Sequence, residues 1–258
     1  MPRFESFDGT QLSYEIDGDG VPVLFLHGFA SDSFINWVRP GVIDAVARAG
    51  FRAFALDQRG HGLSDKPHEK AAYADAAMVR DARGLLDHLE MSRCLCVGFS
   101  MGAMNTVGLI KLDDRIKAAV LGGVGSHTLL ARAEGGNFLA DAMLAEDKST
   151  ITNPIAKSFR DFADLTRADK KALAAIQDQA RPPMAGLESL DIPVLVLGAS
   201  NDPLAGDPQA LADKIPGAKS VTVGGTHLNV VNNPEFHTAL VDFLNEHRGL
   251  AEAIAEAL

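Results

Sequence analysis

Residues 93–103 read RCLCVGFSMGA, an apolar run that leads into Gly98-Phe99-Ser100-Met101-Gly102 and then into a helical pattern. A serine with glycine two residues away on each side, set between a strand and a helix, marks a sharp turn that lifts a hydroxyl above the carboxyl end of a sheet. Gly98 and Gly102 leave the turning backbone free to approach its neighbours, and Ala103 continues the demand for small side chains. Such a pentapeptide arises by chance often enough, so its place between strand and helix carries the weight. Ser100 is the candidate nucleophile.

A serine hydroxyl is a weak nucleophile and needs a base to take its proton. His227, in GGTHLN (224–229), follows the last apolar run, and Asp202, in GASNDP (198–203), follows the one before it. A carboxylate placed there orients an imidazole and stabilises its charged form. Asp207 competes with Asp202 but lies further on, near the expected cap of the next helix. All three candidates fall at the carboxyl ends of strands, where open α/β sheets bind their ligands. The oxyanion of an acyl transfer needs preorganised N–H donors. The backbone of Met101, directly after the serine, is one candidate. Phe29 is the other, in the loop after His27, with Gly28 letting that loop turn inward.

Working outward, further short apolar runs occur at 22–28, 51–57, 117–123, 193–199 and 220–225, with amphipathic segments between them at 42–49, 75–90, 101–112, 208–215 and 234–247. Strands apolar on both faces belong to parallel sheets covered by helices on each side. The alternation predicts an α/β fold with a mostly parallel, right-handed, doubly wound central sheet and helices on both faces. RFESF and QLSYEID around Asp8-Gly9 read as a hairpin ahead of it. Residues 127–190 break the rhythm: no strand pattern, several helical ones (138–146, 155–165, 171–179), and far more chain than a normal connection needs. They are expected to form a small helical cap inserted into a core domain of residues 1–126 and 191–258.

Composition narrows the function classes. Of 258 residues 47% are hydrophobic and 22% charged, and 34 Asp and Glu against 24 Lys and Arg give a formal charge of −10. An acidic chain without basic clusters does not suit a phosphate backbone, so no nucleic-acid partner is expected. Cys94 and Cys96, one residue apart in an apolar run, read as buried, inert thiols. They are a poor zinc site, and no disulfide framework is present. No apolar stretch approaches a membrane span and the N-terminus lacks a signal-peptide core, so a cytoplasmic protein is expected, with no membrane partner. No metal and no cofactor are required: neither a P-loop nor a dinucleotide fingerprint occurs.

The segments HGFASDS (27–33), DQRGHGLSDKP (57–67) and GFSMGA (98–103), with the Asp202 and His227 loops in the order Ser…Asp…His, together resemble the α/β-hydrolase fold superfamily across about the whole chain except residues 127–190. GFSMG resembles the bacterial esterases, lactonases and cofactor-free haloperoxidase or perhydrolase relatives in particular. The resemblance implies scaffold roles for His27 and His61, with Asp57 and Arg59 holding the RGHG turn. A serine nucleophile sets the chain apart from the Asp-dependent epoxide hydrolases and haloalkane dehalogenases. The base loop, Gly-Thr-His-Leu, departs from the commoner pattern. Phe34, Trp37, Met104 and His127 are candidate pocket residues, with Met143, Phe159, Phe162 and Met184 able to descend from the cap. Apolar walls favour a small, largely apolar ester or lactone as the partner molecule. Carbon–carbon hydrolysis or perhydrolysis on the same triad is the main alternative, and a non-catalytic binding protein the lesser one. The oligomeric state is not legible.

Overall fold

The computed structural model describes residues 1–129, 138–177 and 186–252. Eight strands form one sheet: β1 (Arg3–Glu5), β2 (Gln11–Asp17), β3 (Val21–Leu26), β4 (Phe51–Leu56), β5 (Cys94–Phe99), β6 (Ile116–Gly122), β7 (Val194–Asn201) and β8 (Lys219–Thr226), in the order β1-β2-β4-β3-β5-β6-β7-β8. β1 and β2 make the expected antiparallel hairpin, and β2 runs antiparallel to β4. From β4 to β8 every neighbouring pair is parallel. The doubly wound α/β fold read from the sequence is the fold observed.

Alternation along the inner strands explains why helices cover both faces. On β3, Val23 and Phe25 enter one apolar cluster, with Val42, Ile43 and Val46 of α1 (Val42–Arg48) and Phe236, Leu240 and Phe243 of α9 (Pro234–Glu246). Leu24 and Leu26 enter another, with Val79, Leu85 and Leu86 of α2 (Ala77–His88) and Leu109 of α3 (Met101–Leu112). Side chains with a period of two, apolar on both sides, have no solvent-facing surface to offer. Cys94 and Cys96 point into the α2 side as fully buried free thiols, and burial pushes Cys96 up to about 12.

Between β6 and β7 the chain forms α4 (Ser126–Leu129), α5 (Phe138–Leu144), α6 (Pro154–Thr166) and α7 (Lys170–Gln177), with no strand among the described residues of that stretch. α8 (Pro208–Ala212) follows β7. α6 starts on Asn153, whose side chain accepts from the N–H groups of Ile155 and Ala156, with Pro154 at the first helical position. Such a cap satisfies donors that the first turn leaves unpaired. Leu139, Met143, Phe159, Ala163 and Leu173 of these helices share a third apolar cluster with Phe29, Met101, Met104 and Val107. The insertion is therefore packed directly against the serine turn. Met184 lies outside the described residues.

Arg59 takes a different place from the expected one. Its side chain is fully buried and forks onto Asp81 of α2 (2.6 and 2.7 Å) and onto Asp8 in the N-terminal turn (2.8 and 3.1 Å), tying the hairpin to the domain. The RGHG turn is held by Asp57 instead, which accepts from the N–H groups of Ser33 and Leu63 at 2.8 Å each. Burial alone would raise the Asp8 carboxyl. Hydrogen bonds from Arg59 and Thr10 and the guanidinium charge outweigh it and bring the pKa from 3.8 down to about 2. A depressed folded-state pKa contributes stability that is complete above the unfolded value and lost as pH falls through the folded one. The urea-midpoint advantage of the wild type over Asp8→Asn should therefore be full at neutral pH and shrink between 3.8 and about 2. A constant gap across that window would remove the Arg59 pairing as its cause.

Candidate active site

Ser100 sits on the turn between β5 and α3 with φ 51° and ψ −111°, a positive-φ conformation that non-glycine residues seldom adopt. The surrounding glycines explain how the turn fits. A Cβ on Gly98 would strike the carbonyl of Gly102 and the hydroxyl of Thr106, and one on Gly102 would strike the carbonyls of Leu26 and His27. No side chain fits at either position while β3, β5 and α3 keep these distances. The Ser100 N–H donates to the Gly122 carbonyl at 2.8 Å, which pins the turn to β6.

The three residues proposed from sequence converge. His227 Nε2 lies 3.0 Å from Ser100 Oγ, and His227 Nδ1 lies 2.7 Å from Asp202 Oδ2. The other carboxylate oxygen of Asp202 accepts the N–H groups of Leu204 and Ala205 at 3.0 and 2.9 Å. Burial would raise the Asp202 carboxyl, but the His227 hydrogen bond and charge and the two backbone donors outweigh it and lower its pKa. An ionised Asp202 fixes the proton on Nδ1 and leaves Nε2 free to accept from the serine hydroxyl. Asp207, the competitor, caps α8 by accepting from the Gln209 N–H at 2.9 Å and takes no part in this relay.

The N–H of Met101 is the first donor of α3, and neither it nor the N–H of Phe29 has a hydrogen-bond partner among the described residues. The loop carrying Phe29 is held from three sides. Asn36 Oδ1 accepts from the Gly28 N–H at 2.9 Å, His61 Nε2 accepts from the Ala30 N–H at 3.2 Å, and Thr166 of α6 donates to the Ala30 carbonyl at 3.2 Å. His27 and His61 have both ring nitrogens occupied: each pairs Nδ1 with a carbonyl (Gly28, Arg59) and Nε2 with a backbone N–H (Gln58, Ala30). Burial lowers the pKa of both, which keeps them neutral. Neither is placed to serve as a base.

A cavity of about 170 Å³ opens beside Ser100 and His227. Phe29, Phe99, Phe159 and Phe162 form its apolar wall, and Ser31, Asn36, Arg39 and Asn232 contribute polar groups. Four residues expected in the pocket lie elsewhere. Residues 34–38 wind into a π-helical turn, which leaves Phe34 in solvent and sends Trp37 into the core against Phe25. Met104, one turn into α3, is buried in the cluster with the insertion helices. His127 is exposed, with Nδ1 3.1 Å from the Pro203 carbonyl. Asn36 and Arg39 carry no sequence signal for the pocket: in sequence they look like solvated positions between apolar ones.

Among the described residues no group of three His, Cys, Asp or Glu side chains converges as metal ligands would, and no helix is long and apolar enough to cross a membrane.

Residues 21–173 match the family model described as alpha/beta hydrolase fold. An epoxide hydrolase of Caballeronia sordidicola is 38% identical over 112 residues, which is 43% of this chain but only 33% of that relative's length. The enol-lactonase structure from Burkholderia xenovorans LB400 is 28% identical, with TM-score 0.71, covering 95% of this chain and all of that one. The esterase RhEst1 from Rhodococcus sp. ECU1013 is 25% identical, with TM-score 0.76, over 95% of this chain and 98% of that one. The family model alone spans more than half of the chain, and the protein belongs to the alpha/beta-hydrolase fold family.

Proposed function

We propose that this hydrolase cleaves a carboxylic ester or lactone of a small molecule through an acyl-enzyme on Ser100. One observation carries the reading: Ser100, His227 and Asp202 stand in a continuous hydrogen-bonded relay, 3.0 and 2.7 Å long in its two steps, at the floor of a phenylalanine-walled cavity. Ser100 Oγ attacks the carbonyl carbon as its proton passes to His227 Nε2, and the carbonyl electrons move onto oxygen. The unpartnered N–H groups of Met101 and Phe29 receive that oxyanion. The imidazolium, stabilised by Asp202, returns the proton to the departing alcohol oxygen as the C–O bond breaks. Water then repeats the sequence on the acyl-enzyme: its proton goes to Nε2, its oxygen to the acyl carbon, and Ser100 leaves with the proton restored.

The cap expected over residues 127–190 closes the acyl site in this reading through α6, whose Phe159 and Phe162 form part of the wall. The buried free thiols suit a reducing compartment such as the cytoplasm. A series of p-nitrophenyl esters and several lactones tests the activity. The best ester should give a stoichiometric burst of nitrophenol, with the acyl group trapped at low pH on the peptide containing Ser100. Turnover without any acylated Ser100 peptide would count against the acyl-enzyme.

A further inference from the structure

We infer that Arg39, together with the side-chain amide of Asn36, binds a carboxylate carried on the acyl part of the substrate, so that the preferred ester or lactone is an anionic one. The inference rests on the Ser100 reading and adds the substrate's charge to it.

Arg39 is the one cation lining the described cavity, and that lining contains no carboxylate. Its guanidinium makes no ion pair and no hydrogen bond among the described residues. The acids close to it in sequence, on α6 and in the catalytic relay have other partners. Asp32 accepts from the Ile35 N–H at 2.7 Å. On α6, which supplies Phe159 and Phe162, Asp161 is bound by Lys148, and Asp164 by Lys148, Arg160 and Lys170. Asp202 is taken up by His227 and two backbone N–H groups.

Asn36 is a second, independent pointer. It is 5% exposed and lines the same cavity. Its Oδ1 is committed to the Gly28 N–H, which turns Nδ2 into a donor with no partner among the described residues. That donor is not sealed off but opens on the cavity, where a ligand oxygen can take the place of water on it. The backbone that presents both residues is itself unusual: the Arg39 N–H reaches back to the Phe34 carbonyl at 2.8 Å, closing a π-turn, a geometry concentrated at functional sites. A planar guanidinium with a neighbouring amide donor matches a carboxylate. Arg39 is exposed, so a ligand entering the cavity can reach its guanidinium from solvent.

The test compares esters of equal length that differ in the terminal charge: monoethyl adipate against ethyl hexanoate, and monoethyl glutarate against ethyl pentanoate, followed by ethanol release. The wild type should favour the anionic member. In Arg39→Gln the ratio of kcat/KM, anionic over neutral, should fall about 10- to 100-fold, the range of a partly solvated charge-assisted pair. Raising the ionic strength should shrink the wild-type preference and leave the variant's ratio flat. A ratio unchanged by the substitution overturns the inference. A binding arm does not depend on turnover: adipate should protect the Ser100→Ala protein against thermal unfolding, and adding Arg39→Gln should raise the concentration needed at least tenfold. Equal protection in the two proteins also overturns it. Ester hydrolysis that survives Ser100→Ala would instead remove the serine mechanism, whatever the ratio shows.

Discussion

Ser100→Ala should lower kcat for the best ester by about 10⁶-fold while leaving the fold in place. The size follows from what the hydroxyl does: it is the atom that bonds to the carbonyl carbon, and nothing else within reach of His227 Nε2 replaces it. The intact fold follows from the backbone. Ser100 holds φ 51° and ψ −111° and donates its N–H to Gly122, and alanine keeps the same Cβ, the same strain and the same N–H. Loss of one partly exposed hydroxyl should move the unfolding free energy by no more than about 0.5 kcal/mol. Ser100→Gly separates the strain from the chemistry. Glycine visits positive φ without penalty, and the strain released, about 1–3 kcal/mol, offsets its entropic cost of about 0.5–1 kcal/mol, so this variant should be equally inactive yet no less stable than Ser100→Ala. Rates and urea midpoints on the three proteins decide it. Residual turnover within a hundredfold of wild type would mean that another group attacks the ester.

The residues that were legible in the sequence share a physical property: their positions follow from local patterning. Apolar runs bounded by turns marked β3 to β8, and a residue just past such a run must lie at the carboxyl end of the sheet. Ser100, Asp202 and His227 each satisfied that rule separately. The glycines were legible for a related reason, since Gly98 and Gly102 face carbonyls that no Cβ can approach. Pocket walls obey no such rule. Phe34 and Trp37 are apolar residues near the expected mouth, but the π-turn over 34–38 leaves the first in solvent and sends the second into the core. One extra residue per turn is invisible to a period of 3.6. Asn36 and Arg39 gain their roles only from that turn. Met104 is apolar at a helical spacing, and whether such a residue faces cavity or core depends on how α5 and α6 pack above it. No local pattern links Arg59 to its partners Asp8 and Asp81, which lie 51 and 22 residues away.

Asp202→Asn should cost about 10⁴ in kcat with little change in stability, and the two backbone donors at Asp202 explain why the isosteric change is so damaging. Leu204 and Ala205 both donate to Oδ1. In the asparagine variant those N–H groups select which end of the amide they face, and they require the carbonyl oxygen. The NH₂ group is thereby forced to the position of Oδ2, 2.7 Å from His227 Nδ1 in the wild type. A donor facing Nδ1 demands an acceptor there, so the imidazole proton moves to Nε2, against Ser100 Oγ. That tautomer cannot take the serine proton. The developing imidazolium also loses its carboxylate partner. Asp207→Asn provides the contrast: its oxygen still accepts the Gln209 N–H at the start of α8, so turnover should stay close to wild type. The pH profile adds a check on the same site. Because the Asp202 carboxyl is held below the ordinary carboxylate range, it stays ionised across the working pH and should add no step of its own to the pH dependence of kcat/KM. Within-tenfold activity in Asp202→Asn, or a large loss in Asp207→Asn, would transfer the orienting role away from Asp202 and reopen the order of the relay.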